Sequence, residues 1–178
     1  QLIEWNINFV QSDILDKNKI KNIVENADII HHLAGVTLVP KVRKESNPDY
    51  ERKIKKIAIE GTKNILKLSK KDVKIIFPST HVVFEGIKKI KKNINENEKT
   101  FPVLSYASSK NHNENQLKLS KKNYIILRLG TVYGYSGDNT RMDIMPNLFA
   151  QKASQNSEIK LFARGRQLKS LVPLIDVA

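Results

Sequence analysis

The alternation of short apolar runs with longer segments of helical periodicity constrains the fold of this chain more than any other feature. The short runs are rich in Val and Ile and almost wholly apolar, as strands buried on both faces of a parallel sheet are. The predicted strands span about 7–12, 28–33, 73–78 and 124–129, and the predicted helices span about 17–26, 50–70, 105–121 and 141–155. This order predicts an α/β fold in which helices cover a parallel sheet.

Glycine is scarce where a doubly wound parallel sheet normally needs it. Such sheets bind a dinucleotide through a Gly-rich turn after the first strand. The sequence has 7 glycines and the first is Gly35, so no Gly-rich turn precedes the predicted strand at 28–33. The sequence also begins with Gln1 rather than Met. We therefore expect residues 1–178 to be part of one domain with an incomplete doubly wound sheet.

The net charge of the chain raises the question of a nucleic acid partner. Lys and Arg together number 31 against 18 Asp and Glu, a formal net charge of +13. Clustered lysines bind phosphate backbones by releasing counterions. Here the lysines are spread over several predicted helices and loops, which is typical of solvated surfaces. A nucleic acid partner is therefore not expected.

Composition also bears on metals and membranes. The chain has no cysteine, which excludes disulfides and thiolate metal sites. Its 4 histidines lack the spacing of zinc ligands, so no metal site is expected, and His31 and His32 are interpreted as packing in a strand. No apolar run approaches the roughly 20 residues of a membrane span. These observations predict a cytoplasmic protein without a membrane partner.

Tyr106 and Lys110 form the most suggestive short motif. They lie four residues apart near the start of the predicted helix at 105–121, so they share a face that can project toward the carboxyl ends of the strands. Ser79 and Thr80 follow a predicted strand upstream. In a chain with this many lysines, a Tyr and a Lys four apart are expected by chance about half the time. The spacing alone therefore does not identify a site.

Seven segments, in order along the chain, resemble the extended short-chain dehydrogenase/reductase family, which includes the nucleotide-sugar epimerases and dehydratases. They are SDILD (12–16), ADIIHHLAG (27–35), EGTKNIL (60–66), FPSTHVVFEG (77–86), SYASSKNHNE (105–114), LRLGTVYG (127–134) and LFARGRQLKSLVPLIDVA (161–178). The resemblance implies a partial NAD(P)-binding, Rossmann-like domain. It further implies a fragment without the Gly-rich loop, the first two strands and the C-terminal substrate lobe of the family.

The resemblance gives catalytic roles to Thr80, Tyr106 and Lys110. Tyr106 matches the family's proton acceptor, Lys110 the lysine that holds the nicotinamide ribose, and Thr80 the hydroxyl that binds the reacting oxygen. A free tyrosine has a pKa near ~10, and a nearby ammonium favours its phenolate form. Ser79 is the weaker candidate for the role of Thr80. The alternative is that Tyr106 and Thr80 only cap a helix and a strand.

The resemblance also implies cofactor contacts, with NAD expected and NADP as the alternative. Asp13 matches an acidic residue that contacts the adenine amino group, and Ile14 would pack beside the base. The alternative for Asp13 is a turn at the end of a strand. Leu33, Ala34 and Gly35 match the backbone segment along the cofactor, where small residues permit close approach.

A nucleotide-linked sugar is the substrate that the resemblance implies, with Thr131 and Lys169 as its contacts. Thr131 lies where many relatives carry Asn. Lys169 replaces an Arg that meets the substrate diphosphate, so the charge is kept and the bidentate fork is lost. Glu114 matches a frequent family glutamate that we interpret as structural.

Departures from the family pattern reduce the number of reactions that the chain is expected to catalyse. His81 and Val82 follow Thr80 where 4,6-dehydratases place Asp and Glu, so water elimination is not expected. The leading hypothesis is an NAD(P)-dependent epimerase, or a related oxidoreductase, that transfers hydride transiently. The VVFEG segment suggests instead a dehydrorhamnose-reductase-like, NADPH-dependent reductase, and a non-catalytic nucleotide- or RNA-binding member is a further alternative. The family commonly dimerises through the helices near 50–70 and 105–121.

Overall fold

A computed structural model describes residues 4–36, 47–137 and 140–178 of the chain. The chain divides into two compact units, Gln1–Leu127 and Arg128–Ala178. The helices are α1 (Lys17–Glu25), α2 (Pro48–Leu68), α3 (Ser105–Leu119) and α4 (Met145–Ser154). The strands are β1 (Ile29–His31), β2 (Lys74–Thr80), β3 (Asn123–Leu129), β4 (Thr131–Tyr133) and β5 (Leu171–Pro173). Short 3₁₀-helices span His81–Phe84, Phe162–Gly165 and Leu174–Asp176.

A three-stranded sheet of order β1-β2-β3 organises the first unit. β1 and β2 are parallel, with Ile30 opposite Ile75. The core combines apolar side chains of α1, α2, α3 and the β2 region: Ile20, Val24, Ile65, Val73, Ile75, Phe77 and Leu117. Burial of these side chains is the main stabilising contribution. The predicted α/β fold with parallel strands is confirmed.

Helix α2 begins at Pro48, two residues before the predicted start near 50, and its local sequence explains this start. The Asn47 side chain accepts a hydrogen bond from the Asp49 N–H at 2.9 Å, and Pro48 occupies the first turn, where a missing N–H costs nothing. Asp49 and Glu51 in that turn complement the positive end of the helix dipole. At the other end, the Lys122 ammonium donates to the carbonyls of Ser69 and Lys70 at 2.8 and 3.0 Å.

The predicted strand at 7–12 is wrong. Residues 7–12 have no strand conformation, and Ile7, Phe9 and Val10 are exposed by 47%, 70% and 56%. A strand needs a neighbour that accepts its backbone hydrogen bonds, and no strand of the described chain pairs with this segment. The three other predicted strands and all four predicted helices are present, although α4 begins at Met145 rather than near 141.

Of the two strands in the second unit, β5 lies within SLVPLI (170–175), one of two short segments whose sequence predicts an extended conformation, whereas β4 and its pairing with β5 were not predicted. β4 and β5 are parallel, with Thr131 opposite Leu171. Helix α4 is linked to the end of β4, because the Asn147 side chain accepts from the Gly134 N–H at 3.1 Å and donates to the Gly134 carbonyl at 3.2 Å. At three residues, β4 is too short for its periodicity to be recognised.

None of the helices in the described ranges combines the length and apolar character that crossing a membrane requires.

Candidate active site

The candidate catalytic side chains come from two adjacent elements of the first unit. Thr80 is the last residue of β2, and Tyr106 and Lys110 lie in the first two turns of α3. The carboxyl end of β2 is where an open parallel sheet places its ligand. Thr80 is 8% exposed, while Tyr106 and Lys110 are half-buried. Tyr106 and Lys110 share one face of α3 because they are four residues apart.

Lys110 connects this face of α3 directly to the end of β2. Its ammonium donates to the Pro78 carbonyl at 2.6 Å and lies 4.4 Å from the centroid of the Phe77 ring. The ring face attracts the cation and the carbonyl accepts one of its protons. Burial lowers the pKa of Lys110 from 10.5 to about 8, so the protonated form still predominates at neutral pH. The structure therefore places a partly desolvated cation on the carbonyl of Pro78, two residues before Thr80.

Thr80 and Ser79 have different partners. The Thr80 Oγ1 accepts a hydrogen bond from the Val82 N–H at 3.3 Å and so caps the 3₁₀-helix that follows β2. This leaves the Thr80 hydroxyl proton available for a ligand oxygen. The Ser79 hydroxyl instead donates to Oε1 of Glu114 at 2.5 Å, and both of these side chains are buried. Ser79 thus uses its proton inside the protein.

His32 lies beside the same region without facing solvent. It is 3% exposed, and its ring centroid lies 5.5 Å from that of Phe77. Its Nε2 is 2.8 Å from the Thr62 Oγ1, which itself donates to the Ala58 carbonyl at 2.8 Å. Because the single Thr62 proton is used on that carbonyl, the His32 Nε2 carries the proton in this pair. Burial, and secondarily the charge of Lys110, lower the pKa of His32 to about 4.

The packing interpretation of the two histidines therefore holds for His32 alone. His31 is exposed on β1, as the alternation of side chains along a strand requires. Within the described ranges, no group of three or more His, Cys, Asp or Glu side chains is arranged to hold a metal ion.

The predicted cofactor segment after β1 is accessible. Leu33, Ala34 and Gly35 begin two residues after the end of β1 and are exposed, Leu33 by 67%. A Cβ added at Gly35 would meet no atom within 4 Å. The backbone here can therefore be approached closely.

Asp13 and Ile14 form the turn that leads into α1. The Asp13 carboxylate accepts a hydrogen bond from the Leu15 N–H at 2.9 Å. This bond is typical of a turn, which is the alternative to a role of Asp13 in binding adenine. Asp13 is exposed, and Ile14 is half-buried against α2. Gly61 permits this approach, since a Cβ there would lie 2.9 Å from the Ile14 Cγ2. The Asn64 side chain donates to the Ile14 carbonyl at 3.0 Å.

The predicted substrate contacts, Thr131 and Lys169, both belong to the second unit. The Thr131 N–H donates to the Ser170 carbonyl at 2.7 Å, so Thr131 lies opposite the chain segment that begins with Lys169. Gly130 allows the close approach, because a Cβ there would lie 2.9 Å from the Ser170 carbonyl oxygen. Thr131 is half-buried and Lys169 is exposed.

Sequence reasoning missed the buried polar side chains that join the helices. Thr62, Asn64 and Asn113 are 0%, 3% and 2% exposed. The Asn113 side chain donates to the Ala58 carbonyl at 3.1 Å, which links α3 to α2. These polar residues lie on the apolar side of their helices, and that position could have identified them in the sequence. A buried polar group needs a hydrogen-bond partner, so such a residue indicates a contact between elements.

Comparison with known proteins identifies what this chain is similar to. A family model described as RmlD substrate binding domain matches residues 4–165. Among solved structures, UDP-glucose 4-epimerase of Thermotoga maritima is 23% identical with a TM-score of 0.80, over 97% of this chain and 57% of the epimerase. UDP-glucuronic acid 4-epimerase of Bacillus cereus, in complex with UDP-glucuronic acid and NAD, is 21% identical with a TM-score of 0.75, over 99% and 56%.

A dTDP-glucose 4,6-dehydratase of Streptomyces venezuelae, solved with NAD bound, is 18% identical with a TM-score of 0.76, over 96% of this chain and 52% of the dehydratase. This chain therefore spans a little over half the length of these structures. At such identities the likeness shows the fold, which is Rossmann-like.

Proposed function

The chain belongs to the RmlD substrate binding domain family of extended short-chain dehydrogenase/reductases, and on this premise we propose that it is part of an NAD(P)-dependent epimerase of nucleotide-linked sugars. Residues 1–178 then form part of one cofactor-binding domain of a cytoplasmic enzyme. The observation that carries the proposal is the hydrogen bond from Lys110 to the Pro78 carbonyl. It holds a half-buried cation at the junction of β2 and α3, on the carbonyl two residues before Thr80 and on the same helix face as Tyr106.

In this proposal Tyr106 removes the proton of a sugar hydroxyl. The positive charge of Lys110 would favour the phenolate form that accepts the proton. The Thr80 hydroxyl accepts from the Val82 N–H and so can donate its own proton to the reacting sugar oxygen. Ser79 is less suited to that role, because its hydroxyl donates to Glu114.

The residues present fit a nicotinamide cofactor. Leu33, Ala34 and Gly35 leave exposed backbone after β1, Asp13 presents a carboxylate in an exposed turn, and Lys110 offers an ammonium. Ile14 would pack beside the adenine, and Tyr106 would lie near the nicotinamide. When bound, NAD would supply a hydride acceptor. NADP is the alternative cofactor.

Thr131 and Lys169 are the proposed substrate contacts. A nucleotide-linked sugar carries a diphosphate, and the exposed Lys169 ammonium has the complementary charge. Thr131 would hydrogen-bond the substrate from β4. The bound nucleotide sugars of the similar epimerases support this substrate class.

A sugar-nucleotide reductase that consumes NADPH is the second candidate function. The family match and the VVFEG segment at 82–86 favour it. An epimerase interconverts two sugars without net consumption of its cofactor, whereas a reductase oxidises NADPH in proportion to product. Assaying a panel of nucleotide sugars by NMR, alongside NADPH absorbance, therefore separates the two functions.

A homodimer through α2 and α3 would have a characteristic salt dependence. The exposed side of α2 carries Lys53, Lys56 and Lys67. A two-fold interface brings the same patch of each copy together, so these ammonium groups would repel one another. Salt screens that repulsion. Sedimentation should therefore show a dimer that strengthens as salt is raised, and a dimer that weakens with salt would contradict this interface.

Replacement of Tyr106 by Phe in the full-length enzyme, of which residues 1–178 form part, tests the proposed function. The substitution removes the proton acceptor and keeps the ring, so turnover should fall by about 100-fold or more while NAD affinity is retained. Tyr124→Phe, on β3, is the matched control and should leave turnover unchanged. Full turnover of Tyr106→Phe would refute the assignment.

A further inference from the structure

Glu85 holds the chain segment that enters α3. One oxygen of its carboxylate, Oε1, accepts hydrogen bonds from the backbone N–H groups of Val103 and Leu104, at 2.8 and 2.7 Å. Hydrogen bonds to an ionised acceptor are stronger than those between neutral groups. Both N–H groups lie immediately before Ser105, the first residue of α3.

Backbone contacts close the loop between Glu85 and α3 at the same place. The Gly86 N–H donates to the Phe101 carbonyl at 2.8 Å, and the Phe101 N–H donates to the Val83 carbonyl at 2.8 Å. A Cβ at Gly86 would lie 2.5 Å from the Phe101 carbonyl oxygen, so only glycine fits there. The two ends of the loop at 87–100 thus meet beside Glu85.

The start of α3 depends on this contact from outside the helix. Leu104 occupies the N-cap position, and a leucine side chain has no acceptor for the first N–H groups. The helix begins with the bond from the Ser108 N–H to the Leu104 carbonyl at 2.9 Å. Since Glu85 holds Leu104, it sets the point and direction from which α3 starts, and Tyr106 is the second residue of that helix.

Thr80 lies at the other end of the short element that carries Glu85. The 3₁₀-helix His81–Phe84 has Thr80 at its N-cap and Glu85 at its C-cap, where the Glu85 N–H donates to the Val82 carbonyl at 3.1 Å. One turn of backbone therefore separates the Thr80 hydroxyl from the carboxylate that holds the start of α3. Resting on the proposed function, we propose that Glu85 is a positioning residue that sets Tyr106 relative to Thr80.

Two substitutions in the full-length enzyme separate this role from general stability. Glu85→Ala removes the acceptor, and Glu85→Gln keeps a carbonyl oxygen that can accept both N–H groups. Glu98→Ala is the control, because it also removes a carboxylate from this loop. The Glu98 carboxylate pairs with Lys91 at 2.6 Å and does not contact the start of α3. The measurements are amide hydrogen exchange at residues 103–107, kcat and KM for a nucleotide sugar, and NAD affinity.

In Glu85→Ala, exchange of the amides at 103 and 104 should rise about tenfold and kcat should fall about tenfold, as the loss of charge-assisted hydrogen bonds predicts. NAD affinity should change less than about twofold, since the two hydrogen bonds that Glu85 accepts come from Val103 and Leu104 and not from the proposed cofactor segment. Glu85→Gln should restore most of kcat, and Glu98→Ala should match the unsubstituted chain.

The failures of the two proposals differ. Faster exchange in Glu85→Ala with unchanged kcat would overturn the positioning role and leave the enzyme assignment in place. Unchanged exchange at 103 and 104 would overturn the contact itself. Absence of turnover in the unsubstituted full-length enzyme would refute the proposed function, and exchange at 105–107 would then decide whether Glu85 positions α3.

Discussion

The Ser79 hydroxyl donates a 2.5 Å hydrogen bond to Oε1 of Glu114, and the two side chains are only 5% and 0% exposed. Ser79 belongs to β2 and Glu114 to α3, so this bond joins the two elements that carry the candidate catalytic residues. A buried carboxylate is costly without hydrogen bonds, so this contact stabilises the fold by satisfying one.

Ser79→Ala should lower the free energy of unfolding by about 1–3 kcal/mol, because it leaves a carboxylate oxygen of Glu114 without this donor. Urea denaturation measures the change. Ser108→Ala, at a half-buried position of α3, is the control and should change stability by less than about 0.5 kcal/mol. Equal stability of Ser79→Ala and the unsubstituted chain would show that the bond contributes nothing.

Thr80→Ala should reduce turnover far more than Ser79→Ala does. Thr80 can donate its proton to a substrate oxygen, whereas the Ser79 proton is used on Glu114. Loss of one such donor costs on the order of 100-fold in kcat. Thr80→Ser should retain most of the activity, because it keeps the hydroxyl. Steady-state kinetics measures kcat for the three variants. A larger loss of kcat in Ser79→Ala than in Thr80→Ala would assign the proton-donating role to Ser79 instead of Thr80.

The burial of His32 predicts a loss of stability in acid. Its pKa is lowered from 6.5 to about 4, so between these values the unfolded chain binds a proton that the folded chain does not. The free energy of unfolding should therefore fall as pH decreases from about 6.5 to 4, by up to about 3 kcal/mol from this group, and the effect should level off below pH 4.

Urea denaturation across that pH range, compared with His32→Gln, isolates the effect. Gln keeps an N–H that can donate to Thr62 and cannot titrate, so the variant should lose less stability in acid. His112→Gln, at an exposed position of α3, should follow the unsubstituted chain. If the free energy of unfolding fell equally with pH in His32→Gln and in the unsubstituted chain, the prediction would be contradicted.

The lowered pKa of Lys110 predicts that activity falls at alkaline pH. Its pKa is lowered to about 8 by burial, so Lys110 is protonated below that pH and loses its charge above it. Since the charge favours the Tyr106 phenolate in the proposed mechanism, kcat/KM should decline above about pH 8. Lys110→Met should remove this decline from the pH profile and lower turnover at all pH values. Lys55→Met, exposed on α2, should preserve the profile of the unsubstituted chain.

Much of the fold could be predicted from the sequence because its signals are local. The start of α2 follows from Asn47, Pro48 and Asp49, and the strand before Thr80 follows from its apolar run. The segment at 7–12 shows the limit of such signals. Its composition favours a strand, yet a strand forms only where another one pairs with it.

The sequence by itself determined the α/β alternation, the helix that carries Tyr106 and Lys110 on one face, and the family to which those residues point. Only the tertiary structure decided that Ser79 donates to Glu114, that Glu85 holds the entrance to α3, and that Lys110 rests on Phe77 and Pro78. Periodicity and capping depend on residues within a few positions of each other. Side-chain hydrogen bonds to groups 18 or 35 positions away, and the pKa values that burial shifts, depend on how the elements pack.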